Sequence, residues 1–262
     1  MAGNDDWRPR HNPYLIAFAV MLATFMEVLD TSIANVAVPY IAGGLSATSD
    51  EATWVLTSYL IANAIILPAT AWLGNVFGRK RFLLVCIGIF TAASALCGLA
   101  GSLGFLVAAR VLQGAGGGAL QPVSQAVLLE SFPPEKRNVA MATFAMGVVV
   151  APIVGPIVGG WITDQYSWRW IFYINLPIGV LASLLASLYI EDPPYLKRVA
   201  FSTIDSVGFG LMAIWLSTLQ FVLDKGQEDD WFSSRAIFWC SVVSAISFGG
   251  FIVRELQARS PL

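Results

Sequence analysis

Three ionisable side chains lie far inside otherwise apolar stretches of this 262-residue sequence: Glu27, Asp30 and Arg110. Charges placed in hydrocarbon are costly and are usually kept for a function. Glu27 and Asp30 are three residues apart, so they share one face of a helix. At a rise of ~1.5 Å per residue, Asp30 lies about 12 Å below the outer end of a stretch closing at Val38. By the same measure Arg110 lies about 10 Å below the outer end of one opening at Leu103. The depths allow Asp30 and Arg110 to meet, which would offset the burial cost of both. Protonating the acid would then release Arg110, as a proton-coupling site requires. A structural ion pair that only fixes helix packing fits the same residues.

The chemistry extends along the stretch that carries Arg110. Arg110, Gln113, Gly117, Gln121 and Ser124 follow helical spacing, with Gln125 beside them. A polar stripe in a membrane helix faces a cavity or a partner helix. A water-filled substrate cavity, joined by Asn35 and Asn63, is one reading; helix–helix hydrogen bonds are the other. Further on, Gly147, Ala151, Gly155 and Gly159 place a small residue at every fourth position. Such a stripe lets two backbones approach closely. Pro152 and Pro156 each remove a backbone donor there, which predicts a bent, tightly packed hinge. Gly114 to Ala119 matches a nucleotide-binding glycine pattern, but no strand precedes it and the run sits in an apolar helix, so close packing explains it better.

Enzyme chemistry finds little support. A membrane-embedded enzyme needs a nucleophile with a base, or a metal cluster. The one histidine, His11, is in the N-terminal tail, and HExxH and GxSxG are absent. Cys86, Cys97 and Cys240 form no CxxC pair and each lies in an apolar block, as buried small residues do. No cofactor and no metal are expected.

These residues require membrane-spanning elements to hold them. The chain is 56% hydrophobic and 12% charged, against roughly a quarter charged in a soluble domain. Its mean hydropathy is +0.69. The apolar residues come in blocks, and a spanning helix needs roughly 20 of them. Eight blocks qualify: 14–38, 52–73, 82–100, 103–129, 139–162, 168–190, 204–223 and 236–253. They are continuous rather than alternating, which predicts helices and not barrel strands. The first block is long, carries two acids and lacks a cleavage site, so it reads as a retained span.

Lysines and arginines set the orientation. Arg8, Arg10, Arg79, Lys80, Arg81, Lys136, Arg137, Lys197, Arg198, Arg254 and Arg259 fall on one side. Only Arg169, Lys225 and Arg235 fall on the other. Both ends are therefore expected in the cytoplasm. Scattered basic residues and a net charge of −2 give no reason to expect a nucleic-acid partner. Glu191-Asp192-Pro193-Pro194 breaks the chain after the sixth span, which predicts a six-helix unit followed by two extra helices. A shift of 83 residues lays Glu27 on Arg110, Asp30 on Gln113 and Pro39 on Pro122, a weak echo of spans one to three in spans four to six.

Several motifs now resemble one family. Gly155-Pro156-Ile157-Val158-Gly159-Gly160 is similar to the antiporter motif of the major facilitator superfamily. Arg110-Val111-Leu112-Gln113-Gly114 is similar to its fourth-helix motif. The run from Leu29 to Pro39 resembles the first-helix motif of its drug:H⁺ antiporters with fourteen spans. Trp168 to Gly179 is also typical. Leu223-Asp224-Lys225-Gly226 with Asp230-Trp231-Phe232 resembles the EmrB type of that branch.

The resemblance implies an all-α membrane fold, a six-helix bundle of 3+3 inverted repeats plus two added helices. Residues 1–13 would be a cytoplasmic tail, 14–190 the bundle, 191–203 a cytoplasmic linker and 204–262 the added pair. The chain is expected to be an N-terminal fragment lacking the second six-helix half. The implied function is proton-coupled export of amphipathic organic compounds across a bacterial inner membrane. The substrates would be those compounds and protons, with a periplasmic adaptor and an outer-membrane channel as partners. Asp30, Glu27 and Arg110 would couple protons, and Pro152, Gly155, Pro156, Gly159 and Gly160 would form the hinge. The cytoplasmic gate loop departs from the family pattern: where an acid is usual it has Asn75, followed by Gly78, Arg79, Lys80 and Arg81. Asn75 cannot supply charge, so Arg79 and Lys80 are expected to pair with Glu130. A facilitator or exporter of one small metabolite is the alternative reading.

Overall fold

The computed structural model describes residues 9–193 and 205–257. Arg8, Lys197, Arg198, Arg259, Pro194 and most of the expected linker lie outside the described residues, as does the start of the seventh block at Ile204. Among the described residues all regular structure is helical. Eight helical stretches are long and apolar enough to cross a membrane: 13–45, 49–77, 79–98, 103–131, 134–165, 170–189, 206–225 and 235–257. The eight expected blocks and the eight stretches correspond one to one.

Helix α1 (Pro13–Leu45) begins where Asn12 Oδ1 accepts the Tyr14 amide at 2.9 Å and Pro13 occupies the first turn. It does not stop at Val38 as expected but runs seven residues further, through Pro39. Pro39 forfeits a single amide bond, to the carbonyl of Asn35. Both residues are exposed, so water or headgroups can take that carbonyl. The helix ends at Ser46, whose φ of 54° turns the chain. Thr48 and Glu51 then cap α2 (Ser49–Ala52) reciprocally. This leads into α3 (Trp54–Phe77).

One residue, Gly78, separates α3 from α4 (Arg79–Gly98). Its φ is +84°, and a Cβ there would stand 3.3 Å from the Asp192 carboxyl carbon and closer still to Oδ2. The position therefore suits glycine alone. The fourth span was expected as one helix; it breaks at Gly118-Ala119 into α5 (Leu103–Gly117) and α6 (Leu120–Ser131). A Cβ on Gly116 would lie 2.8 Å from the Phe90 amide nitrogen, and one on Gly118 would lie 2.6 Å from the Asn63 carbonyl oxygen. The glycine run thus lets α5 sit against the backbones of both α3 and α4, at the expense of helix continuity.

Helix α7 (Arg137–Gln165) presents its small-residue stripe to α1. Gly147 faces Met21, Gly155 faces Ser32, and a Cβ on Gly159 would lie 3.1 Å from the Ile33 side chain. The sixth span is also broken, into α8 (Trp170–Tyr173) and α9 (Asn175–Tyr189) around Ile174. Helices α10 (Ser206–Lys225) and α11 (Arg235–Gln257) pack on each other, and α10 leans on α3. Trp54 and Phe221 stack across that contact with ring centroids 5.7 Å apart.

Among the described residues two apolar clusters fill the interior. One gathers Val20, Met26, Leu83, Phe90, Leu120 and Phe144. The other gathers Leu29, Ile33, Val55, Leu106, Ile162 and Phe172. In α1 they divide between Met26 and Leu29, at the level of Glu27 and Asp30.

Candidate functional site

The junction of the two clusters holds the buried charges. Asp30 comes from α1 and Arg110 from α5, and the Asp30 Oδ2–Arg110 Nη1 distance is 2.6 Å. Both side chains are sealed from solvent, at 1% and 0% exposure. Asp30 Oδ1 accepts two further bonds, from Gln113 Nε2 at 2.9 Å and from Asn175 Nδ2 at 2.6 Å. Among the described residues the hydrogen-bond partners of the acid are all donors, as a buried carboxylate requires.

Arg110 has partners that do not depend on the acid. Its Nε donates to the Val55 carbonyl at 3.0 Å, and Nη1 donates to Gln113 Oε1 at 2.8 Å. Its guanidinium lies 4.2 Å from the Tyr59 ring centroid, a cation–π contact. The buried Nη2 takes no bond within the described residues. Loss of the Asp30 charge would leave the cation held by neutral groups.

Glu27 lies one turn toward the other cluster and has separate partners. Its Oε1 accepts from Tyr59 Oη at 3.1 Å and from Asn63 Nδ2 at 3.2 Å. Tyr59 therefore touches both systems, with its hydroxyl on Glu27 and its ring against Arg110. Asn63, expected on a cavity, is half-buried and donates to Glu27.

The polar stripe divides. Gln113 is fully buried in the ion-pair network, and Ser124 Oγ donates to the Val20 carbonyl of α1 at 3.3 Å. These two serve helix–helix contacts rather than open space. Gln121 is exposed and Gln125 half-buried on the remainder of α6. Asn35 is exposed, and its amide donates back to the Thr31 carbonyl of its own helix at 3.0 Å.

At the ends of α4 and α6, Arg79 Nη1 reaches Glu130 Oε1 at 2.9 Å, the expected pairing. Lys80 does not join it. Its Nζ donates to the Ser187 carbonyl at 2.7 Å, and its amide donates to Asp192 Oδ1 at 2.8 Å. Asp192 thereby caps the N-terminus of α4 from the far side of the chain. Arg81 is exposed, and Asn75 lies half-buried beside a cavity of about 220 Å³ bordered by Arg79 and Pro122. In α7, Gly155 and Gly159 are buried against α1 while Pro152 and Pro156 are exposed. The Ser32 hydroxyl approaches the Pro152 carbonyl at 3.5 Å.

Sequence reasoning missed Asn175, Tyr59 and Asp192. Asn175 left a readable trace, a lone amide in an apolar run. Tyr59 left none, because an aromatic in a span is ordinary.

The sequence profile of the Major Facilitator Superfamily matches residues 20–261. The chain belongs to the major facilitator superfamily. Within it, the chain is 45% identical over 248 residues to the multidrug export protein EmrB of Haemophilus influenzae, covering 95% of this chain and 48% of that protein. It is 44% identical to the EmrB of Escherichia coli K12, with the same coverage. It is 43% identical over 247 residues to the fatty acid resistance protein FarB of Neisseria gonorrhoeae, covering 94% of this chain and 48% of that one. The chain thus spans about half the length of these curated relatives. Among solved structures, the peptide transporter POT bound to sulfate superposes with a TM-score of 0.71 at 16% identity, covering 96% of this chain and 55% of that one. A D-xylose–proton symporter gives 0.61 at 15% identity, covering 93% and 67%. These two are superfamily likenesses of fold alone. They agree with an all-α facilitator architecture in a multi-pass membrane protein.

Proposed function

We propose that this chain is the N-terminal half of a longer exporter (the parent transporter) that drives amphipathic organic compounds out of the cytoplasm against inward proton flow. The observation that carries the reading is the solvent-sealed Asp30–Arg110 pair, whose cation keeps neutral partners of its own. In this reading Asp30 carries the proton. Ionised, it draws Arg110 Nη1, Gln113 and Asn175 together and joins α1, α5 and α9. Protonated, it loosens that junction, while Arg110 stays anchored on Val55, Gln113 and Tyr59. A change of charge becomes a change in how tightly three helices are held. Glu27, hydrogen-bonded to Tyr59 and Asn63, is a second acid one turn away on the same helix.

The named roles of the relatives, multidrug export and fatty acid resistance, support amphipathic molecules as the substrate class. Gln121 and Gln125 are offered as substrate contacts on the polar side of α6, and Arg79–Glu130 with the Asp192 cap as the cytoplasmic gate. The membrane is proposed to be a bacterial inner membrane with both ends of this chain cytoplasmic. An adaptor and an outer-membrane channel would complete the export route.

Drug-induced proton release from purified parent transporter tests the reading. Asp30→Asn keeps shape and hydrogen bonding but removes the titratable group, so release and export should both vanish. Normal release and export in Asp30→Asn and also in Glu27→Gln would place coupling elsewhere.

A further inference from the structure

Two side-chain amides reach the same oxygen of Asp30, and they are not equivalent. Gln113 is pinned: its Oε1 accepts from Arg110 Nη1 at 2.8 Å and from Cys97 Sγ at 3.4 Å. Turning that amide over would press its NH₂ against a guanidinium. Asn175 is not pinned. Its Oδ1 is buried and takes no hydrogen bond within the described residues. Its Nδ2 reaches Asp30 at 2.6 Å and Ser94 Oγ at 3.0 Å.

A carboxylate and a carboxylic acid need opposite neighbours. Ionised Asp30 only accepts, whereas protonated Asp30 has an O–H to donate. All three groups around it now are donors: Arg110 Nη1, Gln113 Nε2 and Asn175 Nδ2. A proton arriving on Oδ1 from water would point at two NH₂ groups, and a buried donor without an acceptor is costly.

We propose that Asn175 is a positioning residue for the proton site, turning its amide over when Asp30 is protonated so that Oδ1 takes the acid O–H in place of the Nδ2 donor. This rests on Asp30 being the proton carrier. No bond breaks in Asn175; the proton adds to Asp30 Oδ1, and one terminal torsion turns by half a revolution.

Ser94 makes the turn feasible. Its hydroxyl now accepts from Asn175 and donates to the Phe172 carbonyl at 2.9 Å. After the turn it can rotate and donate to Asn175 Oδ1. The turn moves that hydroxyl from the Phe172 carbonyl to Asn175 Oδ1, one hydrogen bond exchanged for another. One amide atom of Asn175 lacks a partner before the turn and one after it. The titratable or charged groups facing Asp30 are Glu27 of α1, Tyr59 of α3, Cys97 of α4 and Arg110 of α5. Helices α7 and α9 carry such groups only near their ends, at Arg137, Asp164 and Tyr189, and Tyr173 of α8 packs on Gly98.

The test uses the parent transporter. Infrared difference spectra between acidic and alkaline pH, with isotopically labelled asparagine, should show an amide band that shifts with pH. The band should be lost in Asn175→Leu, which keeps shape without an amide, and should stop shifting in Asp30→Asn. Proton-driven export should fall about tenfold in Asn175→Leu, the rate equivalent of one unpaired buried donor. Asn175→Thr, whose hydroxyl can both donate and accept, should recover most proton-driven export. A pH-invariant asparagine spectrum in the unmodified protein or no recovery in Asn175→Thr would each overturn the proposal. If Asp30→Asn itself keeps normal proton release, the carrier assignment fails first. If Asp30→Asn abolishes release and Asn175→Leu leaves export normal, only the role of Asn175 fails.

Discussion

At the scale of single residues, the buried pair is asymmetric. Asp30→Asn removes a charge but leaves an amide that can still bond Gln113 and Arg110. Arg110→Ala instead strands Asp30 among amides and removes the bond to Val55. Losing one partner of a buried pair costs about 3–5 kcal/mol. Thermal unfolding in detergent should therefore show a large fall in Tm for Arg110→Ala and a small one for Asp30→Asn. An equally large fall in Asp30→Asn would mean that the charge itself, and not the hydrogen-bonded shape around it, holds the site. The acids and the arginine were legible from sequence because charge in an apolar run is conspicuous. Asn175 was not singled out, because an uncharged amide in a span is cheap enough to pass for packing. The expected cavity role for Gln113 misread a stripe: helical spacing gives a shared face, but not whether that face meets water or another helix.

At the scale of elements, the α3–α4 corner is the most tightly specified joint. Gly78→Ala combines a positive φ in a region that glycine alone adopts readily, costing about 1–3 kcal/mol for another residue, with a clash against Asp192. Asp192→Ala removes only the cap on the Lys80 amide, about 1 kcal/mol. Melting curves should rank Gly78→Ala as the more damaging. The opposite order would show that α4 leans on the carboxylate more than on the turn. Hydropathy made the eight spans legible, but not their interruptions or ends. Gly118-Ala119 breaks α5 from α6 because glycines needed for close packing are poor helix formers. Helix α1 overran Pro39 because a proline near a wet helix end loses only one bond. That overrun also shows why depth counted from a block's edge is unsafe, although Asp30 and Arg110 did meet.

At the scale of the whole molecule, the added pair is tied to the bundle where α10 ends and α3 begins. Lys225, only 6% exposed at its side chain, reaches Glu228 Oε2 at 2.5 Å and also bonds Thr53, while Asp224 bonds Thr57. At the other end Arg254 grips Asp205 through two bonds of 2.6 and 3.0 Å. Reporter fusions at Ser49 and Glu228 should read as external and one at Glu135 as internal; an external signal at Glu135 would overturn the proposed topology. Residues 1–262 alone, in proteoliposomes, should give no proton-dependent drug flux, since alternating access needs one half to rock against another. Clear flux would show that this half suffices.

The Asp30–Arg110 bond also sets a timetable. Its two residues are 80 positions apart. At about 5–20 residues per second, a ribosome needs roughly 4–16 s between them. For that interval the first span exists with two acids and no arginine to meet them. Nascent chains halted at Gly101, after the third span, would carry that unmet charge indefinitely.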